Sequence, residues 1–81
     1  MKIVKVKVAE KKRVPVNITT ENIRLDAALK LSNAVSTGGQ AKWIIQDSLV
    51  KVNGEICISR GKKLLPGDTF QYERVIYDII K

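Results

Sequence analysis

The sequence predicts an α+β domain: two packed helices against a small, mostly antiparallel β-sheet, with an N-terminal β-hairpin extension. Three observations carry that expectation. Thr37 and Gln40 stand three residues apart just ahead of an apolar pattern at Ala41, Ile44 and Ile45, the mark of a capped helix start. Asn53-Gly54 lies between two short alternating runs, which is the strongest short signal for a two-residue hairpin. Residues 2–8 alternate valine with lysine, as a half-buried strand does.

Eighty-one residues, 44% of them apolar, supply one domain with one modest core. The expected division is a hairpin extension over residues 1–17, a central unit over 18–72 and a closing strand over 73–81. No run approaches the ~18 apolar residues of a membrane span, and the lysine-rich start lacks the apolar stretch of a signal peptide. A cytoplasmic protein without a membrane partner is therefore expected. The single cysteine, Cys57, has no internal partner for a disulfide and reads as a small apolar filler of its strand. There is no histidine, the commonest general base and metal ligand, and no cofactor or metal is expected.

In chain order, residues 13–18 follow the first strand as a second extended segment, and Pro15 restricts that segment to an edge or to a short run. A first helix is expected over 24–33, with Leu25, Ala28 and Leu29 inward, Asp26 paired with Lys30 at the favourable i,i+4 order, and Thr19, Thr20 or Asn22 as its cap. The second helix is expected over 38–47. Its first turn holds Gly38 and Gly39, poor helix formers that weaken a helix by ~1 kcal/mol each relative to alanine. Either bare amides there receive a phosphate, or the two helices need a tight steric turn. Strands at 49–52 and 55–58 flank the hairpin turn. Arg60-Gly61-Lys62-Lys63 forms a compact basic loop, and Pro66-Gly67 turns the chain into strands at 69–72 and 75–80. The last of these is too apolar for an isolated surface strand and is expected to pair with the N-terminal hairpin.

The net charge is +7 and the pI about 9.8, which favours an anionic partner. Cations gather in two places. Lys2, Lys5, Lys7, Lys11, Lys12 and Arg13 face only Glu10, and Lys42, Lys51, Arg60, Lys62 and Lys63 face only Asp47 and Glu55 within residues 36–67. The lysines of the N-terminal hairpin also read as a charged edge that discourages aggregation.

Arg24-Leu25-Asp26, Leu29, Ala41-Lys42, the run from Val50 to Gly54 and Gly67-Asp68 occur in the order of a known pattern. Over residues 18–72 the chain resembles the alpha-L RNA-binding motif, the RNA-binding domain named after small-subunit ribosomal protein S-four. The runs from Thr37 to Lys42 and from Arg60 to Leu64 make it similar to small bacterial stand-alone proteins often called YaaA-like or YbcJ-like. The resemblance implies RNA binding by the two helices and the hairpin after them. Arg24 opens the first helix, Thr37, Gly38, Gly39, Gln40 and Lys42 form a second contact, and Lys51 to Asn53 a third. Two departures stand out. The family's serine-arginine pair is replaced by Thr37-Gly38, so a guanidinium contact is missing there. Its glycine at the exit of the second helix is replaced by Ser48, which makes a left-handed exit strained.

The leading function is RNA binding without catalysis, with ribosomal or transfer RNA, and the ribosome itself, as the expected partners. Lys42, Lys51, Arg60, Lys62 and Lys63 would meet phosphates, in keeping with the way structured RNA is read through its backbone. Aromatics are only 5% of the chain, too few for a multi-base stacking platform. The competing class is a protein-interaction or dimerisation module whose charge maintains solubility. An enzyme has the least support: no histidine, phosphate loop or carboxylate pair is present, and Asp26, Asp47 and Asp68 have structural roles at helix and turn positions. Trp43 stands one position off the inward face of its helix, placed either to pack beneath the N-terminal hairpin or to stack on a base.

Overall fold

A computed structural model describes residues 12–81. The expected strand at 2–8, and with it the N-terminal hairpin, lies outside the described residues. The described elements are β1 (Lys12–Asn17), β2 (Ile23–Arg24), α1 (Leu25–Leu31), α2 (Gly38–Gln46), β3 (Val50–Val52), β4 (Glu55–Ile56), β5 (Lys63–Leu64), β6 (Thr69–Tyr72) and β7 (Val75–Ile80). The family of elements is the α+β set expected.

Among the described residues, five strands form one sheet in the order β1-β7-β6-β3-β4, antiparallel at every junction except β1–β7, which is parallel. The apolar last stretch thus pairs with the N-terminal segment as expected, along Lys12–Asn17. Pro15 sits opposite Asp78 on the outermost described strand, where its missing N–H breaks no ladder on a second side.

Period-2 alternation decides which face is dry. Val52, Phe70, Tyr77 and Val14 lie in register across four strands, and the Phe70 and Tyr77 rings stack with centroids 4.6 Å apart at 10°. Burial, then the charge of Glu73 and then Tyr72, raises the Tyr77 phenol above its ordinary pKa. Leu25, Ala28 and Leu29 of α1 and Ala41, Ile44 and Ile45 of α2 join this row in a single core cluster with Val16, Val50, Leu64 and Ile79.

The turns follow local chemistry. Asn53 (φ 50°) and Gly54 (φ 89°) are both left-handed, as a type I′ hairpin turn requires. Gly67 (φ 100°) follows Pro66 in a turn closed by the Asp68 amide donating to the Leu65 carbonyl at 2.8 Å. Asn33 (φ 63°) ends the first helical segment, and Ser48 (φ 65°) ends the second in the left-handed conformation that glycine would take without strain. The serine substitution therefore keeps the helix exit and stores a strain of ~1 kcal/mol in it.

The expectations for the first helix start are corrected. The first helix begins at Leu25, and Arg24 belongs to a strand: β2 pairs antiparallel with β5, Ile23 opposite Leu64 and Arg24 opposite Lys63. None of the expected threonine or asparagine caps is used. The N-cap residue is Arg24, without a side-chain cap bond. Instead the Leu25 amide donates to the Lys62 carbonyl at 2.8 Å and the Asp26 amide to the Arg60 carbonyl at 3.1 Å. The basic loop caps the first helix with its own backbone.

Candidate nucleic-acid interface

That capping fixes where the basic loop lies. A helix start leaves four amides without intrahelical partners. In α1 the loop carbonyls take the first two, and the Asp26 carboxylate accepts from the Ala27 amide at 2.8 Å. The loop is thereby held against α1, and the Arg24 guanidinium lies over it, 3.8 Å from where a Gly61 Cβ would stand. Asp26 holds Arg24 at 3.1 Å, so the expected Asp26–Lys30 pair is replaced by an Asp26–Arg24 pair. Lys30 is left exposed.

The start of α2 is built differently. Thr37 (φ −136°, extended) is its N-cap, and the Thr37 hydroxyl accepts from the Gln40 amide at 3.1 Å. Gln40 reaches back, its Oε1 accepting from the Ser36 amide at 3.1 Å, which closes a capping box one residue earlier than the standard pattern. The Gly38 and Gly39 amides donate to nothing among the described residues. A Cβ on Gly38 would meet no atom within 4 Å, and one on Gly39 only the Thr37 hydroxyl at 4.0 Å. Steric crowding between the helices does not account for these glycines.

The two helix starts adjoin. Arg24, Asp26, Ala27, Lys30 and Gly38 line one shallow depression. Lys63 stands directly opposite Arg24 on the exposed side of the β2–β5 ribbon, and Lys42 lies one turn along α2 from Gly38. Arg24, Lys63 and Gly38 are thus gathered around α1, Arg60 is tied to α1 through its carbonyl, and Thr37, Gly39, Gln40 and Lys42 belong to the adjoining start of α2. The link runs from loop to α1 to α2.

Three expected site residues lie elsewhere. Lys62 turns to the other side of the loop, into a hollow with Val52, Asn53, Ile56, Cys57 and Ile58. Lys51, opposite Ile56 and Gln71, is on the outer face of the sheet, in a hollow with Ser48, Leu49, Tyr72 and Glu73. Asn53 has its side chain engaged within the fold: its Oδ1 accepts from the Thr69 amide at 2.9 Å and its Nδ2 donates to Asp68 at 3.2 Å. Asp68 also accepts from the Leu65 amide at 2.8 Å, the turn role read from its position. Lys30 is the residue that sequence reasoning missed. Its placement outside the inward set Leu25, Ala28 and Leu29, three residues from Ala27, was the available signal.

Trp43 is 63% exposed, and the hairpin beneath which it was expected to pack lies outside the described residues. No described helix is long and apolar enough to cross a membrane.

The chain is 42% identical over 59 residues to a Bacillus subtilis (strain 168) protein described as the probable ribosome maturation protein RlbA, a span of 73% of this chain and 83% of that protein. The family model described as S4 domain matches residues 16–80 and so takes in both helix starts, the ribbon and the whole described sheet except the beginning of β1. The chain belongs to the S4 domain family.

Proposed function

We propose that this protein binds structured RNA in the cytoplasm, without catalysing a reaction, through the surface that runs from the basic loop over α1 to the start of α2. The observation that carries this reading is the pairing of Arg24 with Lys63. Like charges directly opposite on an antiparallel pair are destabilising, by an amount within the ~0.2–1 kcal/mol range of cross-strand pairs. Asp26 offsets one of the two, and Lys30 adds a further cation at the same depression. A phosphate between the strands turns that repulsion into attraction. The bare Gly38 and Gly39 amides add donors at the positive end of the α2 dipole.

Ribosomal RNA is the target class we favour, because the relative from Bacillus subtilis carries a ribosome-maturation name. Crosslinking in cells followed by sequencing of the bound RNA tests this. Ribosomal RNA enriched over total RNA, with crosslinks lost when Arg24 and Lys63 are both replaced by glutamine, is the expected result. An RNA yield no greater than that from a non-binding control overturns it.

A further inference from the structure

We infer that Trp43 is a stacking platform for one unpaired base of the RNA, set beside the phosphate-binding surface; this rests on the RNA-binding reading. Among the exposed large apolar side chains, Trp43 has the largest ring system. It points away from the Ala41, Ile44 and Ile45 face that its own helix buries. Long helical side chains lie back over the preceding turn, which here is Gly39 and Gln40. Gly39 has no side chain, and only the Thr37 hydroxyl comes within 4 Å of the place a Cβ would take. Among the described residues, then, no side chain walls off the helix start beside Gly39. A base stacked on the indole would have the Gly38 and Gly39 amides and Lys42 on the same helix for its phosphates.

Charge decides the chemistry of the occupant. From Gly38 to Gln46 the helix carries Lys42 and no acidic residue, and Asp47 follows at its far end, so the cation lies on the helix-start side of Trp43, where an anionic chain would run. Of the four aromatics, Phe70 and Tyr77 are in the core and Tyr72 is half-buried, so Trp43 is the one exposed ring. A single platform agrees with a protein that grips structured RNA by its backbone and marks one position where a base leaves the stack.

The probe is a short RNA hairpin with one bulged adenine, beside the same hairpin without the bulge. For the bulged hairpin, Trp43→Ala should lower affinity about 5- to 150-fold, the equivalent of ~1–3 kcal/mol for one stacked base. For the fully paired hairpin it should change affinity less than twofold, and the salt dependence of both should stay as in the wild type. Trp43→Phe should recover part of the loss. Thermal stability should not fall, since the ring is exposed. Because the chain has one tryptophan, its fluorescence reports this site alone, and the bulged hairpin should quench it more than the paired one. Equal losses for both hairpins, a loss of thermal stability, or a change in oligomeric state overturns the inference while leaving RNA binding intact. Failure of the wild type to bind either hairpin in a salt-dependent way overturns the RNA reading and this inference together.

Discussion

The two helix starts, at Leu25 and Gly38, thirteen residues apart in the chain and neighbours in space, solve the same problem in opposite ways. Each presents unpaired amides and the positive end of a dipole. At α1 the chain supplies the acceptors itself: the Lys62 and Arg60 carbonyls and the Asp26 carboxylate. At α2 a single threonine takes one amide, and the glycines before it stay open. The difference teaches that α1 is a joint and α2 is a surface. A joint is expected to show itself in stability, and a surface in affinity.

The largest effect should come from the joint. Leu64 is fully buried and pairs with Ile23, anchoring the ribbon that carries the loop. Leu64→Ala should destabilise the fold by ~2–5 kcal/mol. A domain of this size holds on the order of 4–12 kcal/mol, so a denaturant titration should show a large fall or outright unfolding. A loss below 1 kcal/mol would mean that the ribbon is not part of the cooperative core.

Thr37→Ala removes the one side chain that caps α2 and should lower stability by ~1 kcal/mol, measured by thermal or urea unfolding. It should also weaken RNA binding although no charge is lost, because the glycine amides lose their fixed direction. Gly38→Ala should do the reverse to stability. A Cβ there meets nothing, and the φ is not left-handed, so reduced freedom of the unfolded chain should raise stability by ~0.4–1 kcal/mol. RNA affinity should fall all the same, since the methyl group holds the RNA backbone off the helix end. Unchanged affinity would return the glycines to a purely local role.

Lys63→Ala is the smallest and sharpest case. Relief of the repulsion with Arg24 should raise the stability of the free protein by a few tenths of a kcal/mol while RNA binding weakens. Stability and affinity moving in opposite directions at one side chain is the signature of a site held ready for a partner. Loss of both would place Lys63 in the joint instead.

Much of this was legible in the sequence where local chemistry is strong. Asn53-Gly54 has the two left-handed residues its turn demands, the Thr37–Gln40 box caps α2, and Ala41, Ile44 and Ile45 face the core. The resemblance gave the family, and the S4 domain match covers residues 16–80. What stayed hidden has a common cause. Strands of two residues have no period to read, so the β2–β5 ribbon, and with it the neighbourhood of Arg24 and Lys63, is set by tertiary pairing alone. The turn from β6 to β7 uses Glu73 at φ 59°, without the glycine or asparagine that would announce it. Asp26 had two cations in reach, Arg24 and Lys30, and helix spacing favours the second. The strand-to-helix junction placed Arg24 beside it instead. Trp43 lies one step off the inward arc, where a helical wheel cannot separate rim from surface.

The central claim is that the Arg24–Lys63 pair meets phosphate. Its most direct test is the slope of log affinity against log salt for the wild type and for the Arg24→Gln, Lys63→Gln double variant on one structured RNA. Each phosphate contact contributes about 0.7–0.9 to that slope through released counterions. The double variant should therefore have a slope shallower by about 1.4–1.8 while its thermal stability is kept. A wild-type slope that is steep and a double-variant slope that matches it would contradict the claim and move the phosphate contacts to another face of the protein.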